Sequence, residues 1–350
     1  MLFPWTEEIG IDLGTANTHV CVKGAGVVVR ESTAVAFQAA RRRPICYGTE
    51  AKRLLDRQVP GVEVVRPVRQ GALADFDAAV DLLRHFIRAA LGRRMILFSP
   101  AVVVAAPVGT TSVQRNALVT GLRAAGAGPT YVVPKALAAA VGARLPVAGV
   151  ESHLIVDAGA GATDIGVLSM GTVTAGSTLR YGGDDIDNAI IRAVRRAQGV
   201  RMDSASAEEV KIRVGSVHPD LGQDKVTVNG TAANNNGGAE PLAIVLQGAS
   251  ELLLKAVMPI VNEVAWVLEE LPPKQRAEVE QAGLTLTGGC ALLRGLPELL
   301  SHHLGLPVTV AKDPLSCTIL GIESIIADLG ALTLEGRRFV VGAPRANGGA

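Results

Sequence analysis

Two short segments of the chain share an order of residues that suits the binding of a phosphate. In each, an aspartate ends an apolar run, a glycine follows at the second position after it and a threonine at the sixth, and a second apolar run then begins. The first segment starts at Asp12 and the second at Asp157. Glycine allows a tight turn in which backbone N–H groups can approach an anion. A carboxylate at a strand end can hold a hydrated Mg²⁺ against phosphates.

The repetition of this hairpin indicates more than either copy does. A single Asp-x-Gly turn is in most proteins an ordinary β-turn, so one copy alone would be a weak signal. Two copies, one in each half of the chain, predict duplicated lobes that face each other and clamp one nucleotide in the cleft between them.

Two further places are suited to the adenosine part of such a nucleotide. The segment Thr287–Ala291 has the pattern of a strand, a glycine turn and a helix start, where backbone can lie against a phosphate or ribose. Glu208 and Lys211 are three residues apart on one face of a predicted helix, so both could reach a ribose or a base edge. A plain surface ion pair is the alternative for these two side chains.

The elements that must position these residues alternate between strands and helices, which predicts α/β lobes with mixed sheets. The predicted strands are Ile9–Asp12, Val20–Val22, Ala101–Ala106, Thr130–Val133 and Leu284–Thr287. The predicted helices are Asp75–Leu91, Val113–Ala125, Lys135–Arg144, Asp187–Ala197, Ala207–Val214, Leu252–Leu271, Ala291–Leu300 and one from Asp313 and Pro314 to Leu329.

Local signals also predict how two of these helices begin. Ser206 and Glu209 have capping-box spacing. Asp184, Asp185 and Asp187 follow two glycines and precede a helix, so we interpret them as acids at a helix N-terminus rather than as Ca²⁺ ligands.

Composition limits the classes of function. With 350 residues, 48% of them apolar and 19% charged, the chain can bury the interiors of two domains. A net charge of +1 gives no general reason to expect nucleic acid binding. The cysteines lack metal-ligand spacing, which favours free thiols in a reducing cytoplasm. No apolar run approaches the ~20 residues of a spanning helix, so we expect a soluble protein.

The sequence resembles the bacterial actin homologue MreB along nearly its whole length. The matching stretches are Ile9–Thr18, Arg66–Asp77, Ala138–Val147, Gly182–Ile190, Ala207–Ser216, Leu286–Gly295 and Asp313–Cys317. The resemblance implies the actin-like fold, with two ribonuclease-H-like lobes and ATP or ADP with Mg²⁺ in the cleft. It also implies self-assembly into protofilaments at the inner face of the cytoplasmic membrane, where they organise cell-wall synthesis with morphogenesis proteins.

The resemblance also implies limits for the lobes and roles for single residues. Lobe I is expected to span 1–146 and 312–342, with a small subdomain at about 32–75. Lobe II is expected to span 147–311, with a small subdomain at about 185–250. Within it, the polar segment 222–241 contains Asn-Asn-Asn-Gly-Gly, which predicts a hairpin tip or mobile loop. A disordered tail is expected at 343–350. The implied phosphate contacts are Thr15, Ala16, Asn17, Gly159, Ala160 and Gly161, and the implied metal-side carboxylates are Asp12 and Asp157. The implied adenosine contacts are Glu208, Glu209, Val210, Lys211, Gly288, Gly289, Cys290 and Ala291.

The chain departs from the family at two positions that serve hydrolysis. Lys135 stands where the family has the glutamate that positions the attacking water, and Ala162 stands where it has a threonine. A charged lysine cannot accept a proton from water, but it can pair with a phosphate as a point charge. We therefore expect ATP to be bound but hydrolysed slowly or not at all, unless the alignment slips at Pro134.

A membrane contact is predicted at Met95–Phe98. In the family an apolar loop at this place dips into the lipid interface, so Ile96, Leu97 and Phe98 are the implied membrane residues. The neighbouring Arg93 and Arg94 suit anionic headgroups. Leu2, Phe3 and Trp5 could add a weaker contact. The alternative is that the tip folds into the core.

Other functions on the same fold stay open at this point. A small-molecule kinase needs a carboxylate aimed at an acceptor hydroxyl, and Asp75 is its obvious candidate. A chaperone-type ATPase should carry a long substrate-binding segment, for which the chain is short. A non-polymerising regulator that binds ATP and acts on true filaments is the remaining alternative.

Overall fold

A computed structural model describes residues 7–57, 59–92, 99–217, 225–233, 239–247 and 249–327. The chain divides into two compact units. The first comprises the described residues of Met1–Glu151, Gly166–Gly176 and Ser316–Ala350, and the second those of Ser152–Ile165 and Ser177–Leu315. The lobe limits expected from the sequence differ from this division, for example by placing Gly166–Gly176 in lobe II instead of the first unit. These limits remain a prediction.

The first unit is built on a five-stranded sheet that begins with the first hairpin. Strands β1 (Glu8–Leu13), β2 (Asn17–Val22) and β3 (Gly26–Ser32) pair antiparallel in succession. Strands β9 (Ala101–Ala106) and β10 (Thr130–Pro134) follow on the other side of β1, both parallel to it. All six residues of β9 are buried, as expected for a central strand. The predicted strands at both sides of the hairpin turn are confirmed.

Helices and smaller sheets complete the first unit. Its other strands are β4 (Val35–Gln38), β5 (Arg43–Tyr47), β6 (Val62–Val65), β7 (Val68–Arg69) and β8 (Ala72–Leu73). Its helices are α1 (Gly48–Arg57), α2 (Phe76–Leu91), α3 (Ser112–Ala124), α4 (Lys135–Gly142) and α10 (Cys317–Ala327). Helix α2 buries eight side chains, with Phe86 the largest, against the strands of the main sheet.

The second unit repeats the strand order of the first. Its sheet runs β13 (Thr172–Leu179), β12 (Thr163–Ser169), β11 (His153–Ala158), β16 (Leu284–Thr287) and β17 (Val308–Val310). The part of β12 and β13 that falls within Gly166–Gly176 is counted with the first unit. As in the first unit, the strands of a hairpin lie on one side of the leading strand and two parallel strands lie on the other. The repeat predicted from two hairpins therefore extends to whole sheets.

The remaining elements of the second unit are mainly helices. They are α5 (Gly183–Gln198), α6 (Ser204–Val214), α7 (Ala249–Glu269), α8 (Pro273–Ala282), α9 (Leu296–Leu304) and a 3₁₀ helix at Gly289–Leu292. Strands β14 (Lys225–Ala233) and β15 (Ala239–Gln247) form an antiparallel hairpin. The segment 222–241, expected to be a hairpin tip or mobile loop, therefore consists largely of strand. The tip at 234–238 and the tail at 343–350 lie outside the described residues.

Three helix starts predicted from local signals are wrong. Helix α6 is capped by Asp203, whose side chain accepts from the Ser206 N–H over 2.7 Å, so Ser206 does not act as the cap. The helix expected from Ala291 is interrupted, because the backbone of Arg294 forms a bridge with Ser216. Helix α10 starts at Cys317 rather than after Asp313 and Pro314. The Pro314 carbonyl accepts from Gly288 and Thr287, and so is not used to begin a helix.

Helices α4 and α10 cross at a distance that only glycine permits. A Cβ atom on Gly142 would lie 1.8 Å from the Cys317 carbonyl oxygen, and one on Gly321 would lie 1.7 Å from the Ala138 carbonyl oxygen. Real Cβ atoms do not approach backbone so closely, so any side chain at either position must separate the helices. This crossing fixes the place of α4 in the first unit.

We predict that Gly321→Ala lowers the free energy of unfolding by about 2 kcal/mol or more, because the new methyl group overpacks the crossing. The measurement is the midpoint of thermal unfolding by circular dichroism. Gly149→Ala is the matched control, since a Cβ there would meet only the Pro146 carbonyl oxygen at 3.5 Å. Equal midpoints for the two variants would contradict the prediction.

Candidate functional site

The first hairpin closes tightly between β1 and β2. The Gly14 N–H donates to the Asn17 carbonyl over 3.0 Å, which leaves Thr15 and Ala16 at the tip. Asp12 lies one residue before the end of β1 and is only 9% exposed. The three residues expected to contact phosphate thus follow the expected metal-side carboxylate within one turn.

Groups elsewhere in the first unit hold the carbonyl oxygens of this turn. Thr33 donates its hydroxyl to the Gly14 carbonyl over 2.7 Å and its N–H to the Ala16 carbonyl over 2.8 Å. Arg66 donates to the Thr15 carbonyl over 3.2 Å. Among the described residues, the N–H groups of Thr15 and Ala16 have no acceptor, so they can donate to an anion. Sequence reasoning missed both supports, although Arg66 opens one of the stretches that match the family.

The second hairpin has the same construction. The Gly159 N–H donates to the Ala162 carbonyl over 3.0 Å. The first turn of α5 donates two N–H groups to the carbonyls of Gly159 and Ala160, over 3.0 and 2.8 Å. Within the described part of the chain, the N–H groups of Ala160 and Gly161 have no acceptor. Asp157 is 4% exposed at the end of β11, in the place that Asp12 has in β1.

The glycine turn after β16 lies directly against the second hairpin. The sheet register pairs Thr287 with Asp157. Gly288 has a φ of +84°, and a Cβ on it would lie 2.4 Å from the Ala158 carbonyl oxygen and 2.5 Å from an Asp157 carboxylate oxygen. Only glycine fits both the backbone conformation and the space. Gly288, one of the residues expected to contact adenosine, therefore lies beside the expected metal-side carboxylate of its unit.

Cys290 joins the glycine turn to the phosphate hairpin. Its thiol donates to the Gly159 carbonyl over 3.4 Å. Burial raises the pKa of the Cys290 thiol to about 11, although Lys211 nearby favours the thiolate. The thiol therefore keeps its proton, and its hydrogen bond, at neutral pH. Gly289 and Ala291, its neighbours, lie in the same 3₁₀ helix.

Lys211 is held by a buried carboxylate rather than exposed as half of a surface pair. Its ammonium donates to Asp187 Oδ2 over 2.8 Å and to the Gly183 carbonyl over 3.0 Å. Asp187 is 7% exposed, and its Oδ1 has no hydrogen-bond donor among the described residues. The interpretation of Asp184 and Asp185 as acids at a helix N-terminus is confirmed, but Asp187 lies beyond the first turn of α5, which begins at Gly183. Sequence reasoning missed the pairing of Asp187 with Lys211, which joins α5 to α6.

The other residues expected on α6 have different surroundings. Val210 is buried, so its side chain belongs to the core. Glu209 pairs with Arg213 over 2.6 Å on the exposed side of the helix. Glu208 lies near enough to Asp187 to raise the pKa of that carboxyl. The side chains of Glu208 and Lys211 therefore share one face of α6, as expected, and the side chains of the two residues between them do not.

Asp12 is stabilised as a carboxylate by two neighbours in the first unit. Burial acts to raise its pKa, yet the attraction of Lys135, followed by that of His19, holds the pKa of Asp12 below its ordinary value. His19 Nδ1 lies 3.8 Å from Asp12 Oδ2. Lys135 is the first residue of α4, directly after β10. Lys135, expected from the sequence to stand at the family's glutamate position, is thus a cation that acts on Asp12, the expected metal-side carboxylate.

Asp75, the candidate base of a kinase, is occupied by structural contacts. Its Oδ1 accepts from the Ala78 N–H over 3.0 Å and caps helix α2. Its Oδ2 pairs with Arg42. Both oxygens are therefore used to hold the polypeptide chain, which does not favour a role for Asp75 in proton transfer.

The predicted membrane residues Ile96, Leu97 and Phe98 lie outside the described residues, as do Leu2, Phe3 and Trp5 at the N-terminus. Among the helices in the described part of the chain, none has both the length and the apolar character needed to cross a membrane.

Comparison with protein families and curated proteins gives one consistent result. The family model described as MreB/Mbl protein matches residues 6–333. The chain is 36% identical over 323 residues to the cell shape-determining protein MreB of Escherichia coli, covering 91% of this chain and 92% of that protein. It is 31% identical over 328 residues to the cell shape-determining protein Mbl of Bacillus subtilis, covering 94% of this chain and 98% of that protein.

Solved structures show the same fold. The crystal structure of MreB 5 of Spiroplasma citri bound to AMPPNP has a TM-score of 0.87 and 28% identity, covering 95% of this chain and 99% of that one. A MamK double helical filament has a TM-score of 0.77 at 22% identity, covering 91% of this chain and 98% of that one, and bears on the fold alone. The predicted actin-like α/β fold is confirmed.

The buried Asp187 generates a prediction for the pH dependence of stability. Burial, opposed by Lys211, raises the pKa of Asp187 to about 6. Between the ordinary value of 3.8 and about 6, the folded state binds this proton more tightly than the unfolded state does. The contribution of Asp187 to stability therefore falls as the pH rises through that window.

We predict that the free energy of unfolding of the wild type, minus that of Asp187→Asn, falls by about 1 to 3 kcal/mol from about pH 4 to about pH 7. Urea unfolding at a series of pH values measures the difference, in which the other titrating groups cancel. Parallel pH profiles for the two proteins would show that Asp187 titrates normally.

Proposed function

The chain belongs to the MreB/Mbl family, and from this membership we propose that it is an actin-like protein that binds ATP, forms filaments and organises cell shape or cell-wall synthesis. The relatives named MreB and Mbl are cell shape-determining proteins. The observation that carries the proposal is the duplicated hairpin, which in each unit combines a buried aspartate with backbone N–H groups that have no acceptor among the described residues.

Nucleotide binding is supported by solved structures of a relative and by the hairpins of this chain. The structurally similar MreB 5 is bound to AMPPNP in one crystal structure and to ADP in another. In this chain, phosphates would accept from the tips of the two hairpins. The proposed phosphate contacts are Thr15, Ala16, Asn17, Gly159, Ala160 and Gly161. The proposed adenosine contacts are the segments 208–211 and 288–291.

We propose a Mg²⁺ ion bound through water by Asp12 and Asp157. Mg²⁺ prefers oxygen ligands and keeps several waters, so it needs few protein carboxylates. Both side chains are acidic, buried and placed at strand ends beside the hairpins. When bound, the ion would neutralise charge on the phosphates.

Slow hydrolysis follows from the residues that replace the family's water-positioning groups. Lys135 carries a positive charge beside Asp12, and Ala162 contributes only its backbone carbonyl to the hairpin. Neither side chain can accept a proton from an attacking water. Loss of a general base and of its orienting partner typically costs about two to four powers of ten in rate.

We predict that the purified protein with ATP forms filaments visible by electron microscopy. It should release phosphate at least about 100-fold more slowly than MreB of Escherichia coli assayed in parallel. Lys135→Glu combined with Ala162→Thr should raise release by a similar factor, since it restores both groups. ATP binding without filaments would instead favour a non-polymerising regulator. Rapid release by the wild type would contradict slow hydrolysis.

We also propose peripheral attachment to the inner face of the cytoplasmic membrane, where partners in cell-wall synthesis would be met. The apolar residues Ile96–Phe98, which follow Arg93 and Arg94 in the sequence, suit an anionic interface. Apolar side chains enter the lipid, and the arginines remain at the headgroups.

Replacing both Leu97 and Phe98 by serine is predicted to weaken co-sedimentation with anionic lipid vesicles by about tenfold or more, because two apolar side chains are lost from the lipid. The matched control is Val113→Ser, which removes an apolar side chain that is 75% exposed on α3. Unchanged binding by the double variant would place the membrane contact elsewhere.

A further inference from the structure

Lys135 lies at the edge of the first sheet where Asp12 also lies. Strands β1, β9 and β10 are parallel, and the register aligns Ile11 with Val104 and Val104 with Val132. The next residue of β1 is Asp12, and β10 ends two residues after Val132, directly before Lys135. Both side chains therefore start beyond the same carboxyl edge, two strands apart, a separation that the long lysine side chain can span.

The backbone of Lys135 is fixed by packing rather than carried on a loop. Helix α4 begins at this residue and its other end crosses α10, where Gly142 and Gly321 bring the two backbones together. The preceding strand β10 is hydrogen-bonded to β9 along its whole length. The ammonium group is thus tethered from a rigid point beside Asp12.

Charge decides what this arrangement does to a metal-bound phosphate. Asp12 is buried, and a buried carboxylate needs a compensating positive charge. Lys135 begins its helix at the same edge of the sheet and can supply such a charge. A fixed cation beside Asp12 leaves less negative charge to attract a divalent ion. The ammonium is also a hydrogen-bond donor and a point charge that suit phosphate oxygens.

We propose that Lys135 supplies part of the positive charge that Mg²⁺ would otherwise bring to the phosphates, so that this chain binds ATP nearly as well without a divalent cation as with one. The proposal rests on the nucleotide binding proposed above and concerns the same site. The Asp12 carboxylate still suits a hydrated Mg²⁺ chemically, so the ion is made less necessary rather than excluded.

A merely structural role for Lys135, as the partner that keeps Asp12 ionised, gives a different expectation. In that case the lysine would stabilise the fold but leave the phosphates to Mg²⁺. Removal of the cation would then weaken nucleotide binding in the wild type as strongly as in a variant without the lysine. The ratio of affinities with and without Mg²⁺ separates the two roles.

The experiment measures the Kd of a fluorescent N-methylanthraniloyl derivative of ATP in excess Mg²⁺ and in excess EDTA. For the wild type we expect the two values to agree within about threefold. For Lys135→Gln we expect EDTA to raise Kd by roughly tenfold or more, which corresponds to the loss of one charged hydrogen bond. Lys135→Arg should behave as the wild type does.

Controls keep the outcomes separate. Lys274→Gln removes a lysine whose side chain is 86% exposed on α8, and it should leave both Kd values unchanged. Circular dichroism melting checks that each variant is folded, and a large wild-type ratio contradicts the proposal even if Lys135→Gln does not fold. A wild-type ratio of tenfold or more would overturn the role of Lys135. Absence of binding under both conditions would overturn nucleotide binding itself.

Discussion

The burial of carboxylates is the physical constraint on which the candidate site depends. Asp12, Asp157 and Asp187 are all less than one tenth exposed, and a buried negative charge is costly unless another group compensates it. In the first unit Lys135 acts on Asp12, and in the second Lys211 pairs with Asp187. In the second unit, Lys211 is thus held at a defined place by an acid that the fold has removed from water.

Close backbone packing fixes the positions of groups in the candidate site. Helix α4 can present Lys135 beside Asp12 because its far end meets α10 through glycines. The turn at Gly288 can lie against Asp157 because it carries no side chain. Close packing leaves little room for relaxation. Residues that do not themselves contact an anion therefore determine where the N–H donors of the turns lie. The same logic explains why Thr33 and Arg66 hold the carbonyls of the first turn: the N–H groups on its other side are then left for an anion.

The sequence predicted the parts of the fold that depend on local patterns. Apolar runs and Asp-x-Gly turns located both hairpins, and the repeat anticipated two sheets of one topology. Local signals failed where a distant group competed for the same backbone. Ser206 has the right spacing for a cap, yet Asp203 caps the helix. Pro314 could begin a helix, but its carbonyl bonds to the glycine turn. The pairing of Asp187 with Lys211 joins two helices, and no periodicity within either helix encodes it.

The two hairpins share one construction but differ in what the chain places beside them. Both leave backbone N–H groups that have no acceptor among the described residues. Lys135 and Ala162, which the resemblance places at the family's hydrolytic positions, provide neither a proton acceptor nor a hydroxyl, because one is a cation and the other an alanine. Replacing an acceptor by a cation has two effects of opposite sign: activation of water weakens, while attraction for phosphate strengthens. Under the proposed function, a bound nucleotide would therefore be held more tightly and hydrolysed more slowly.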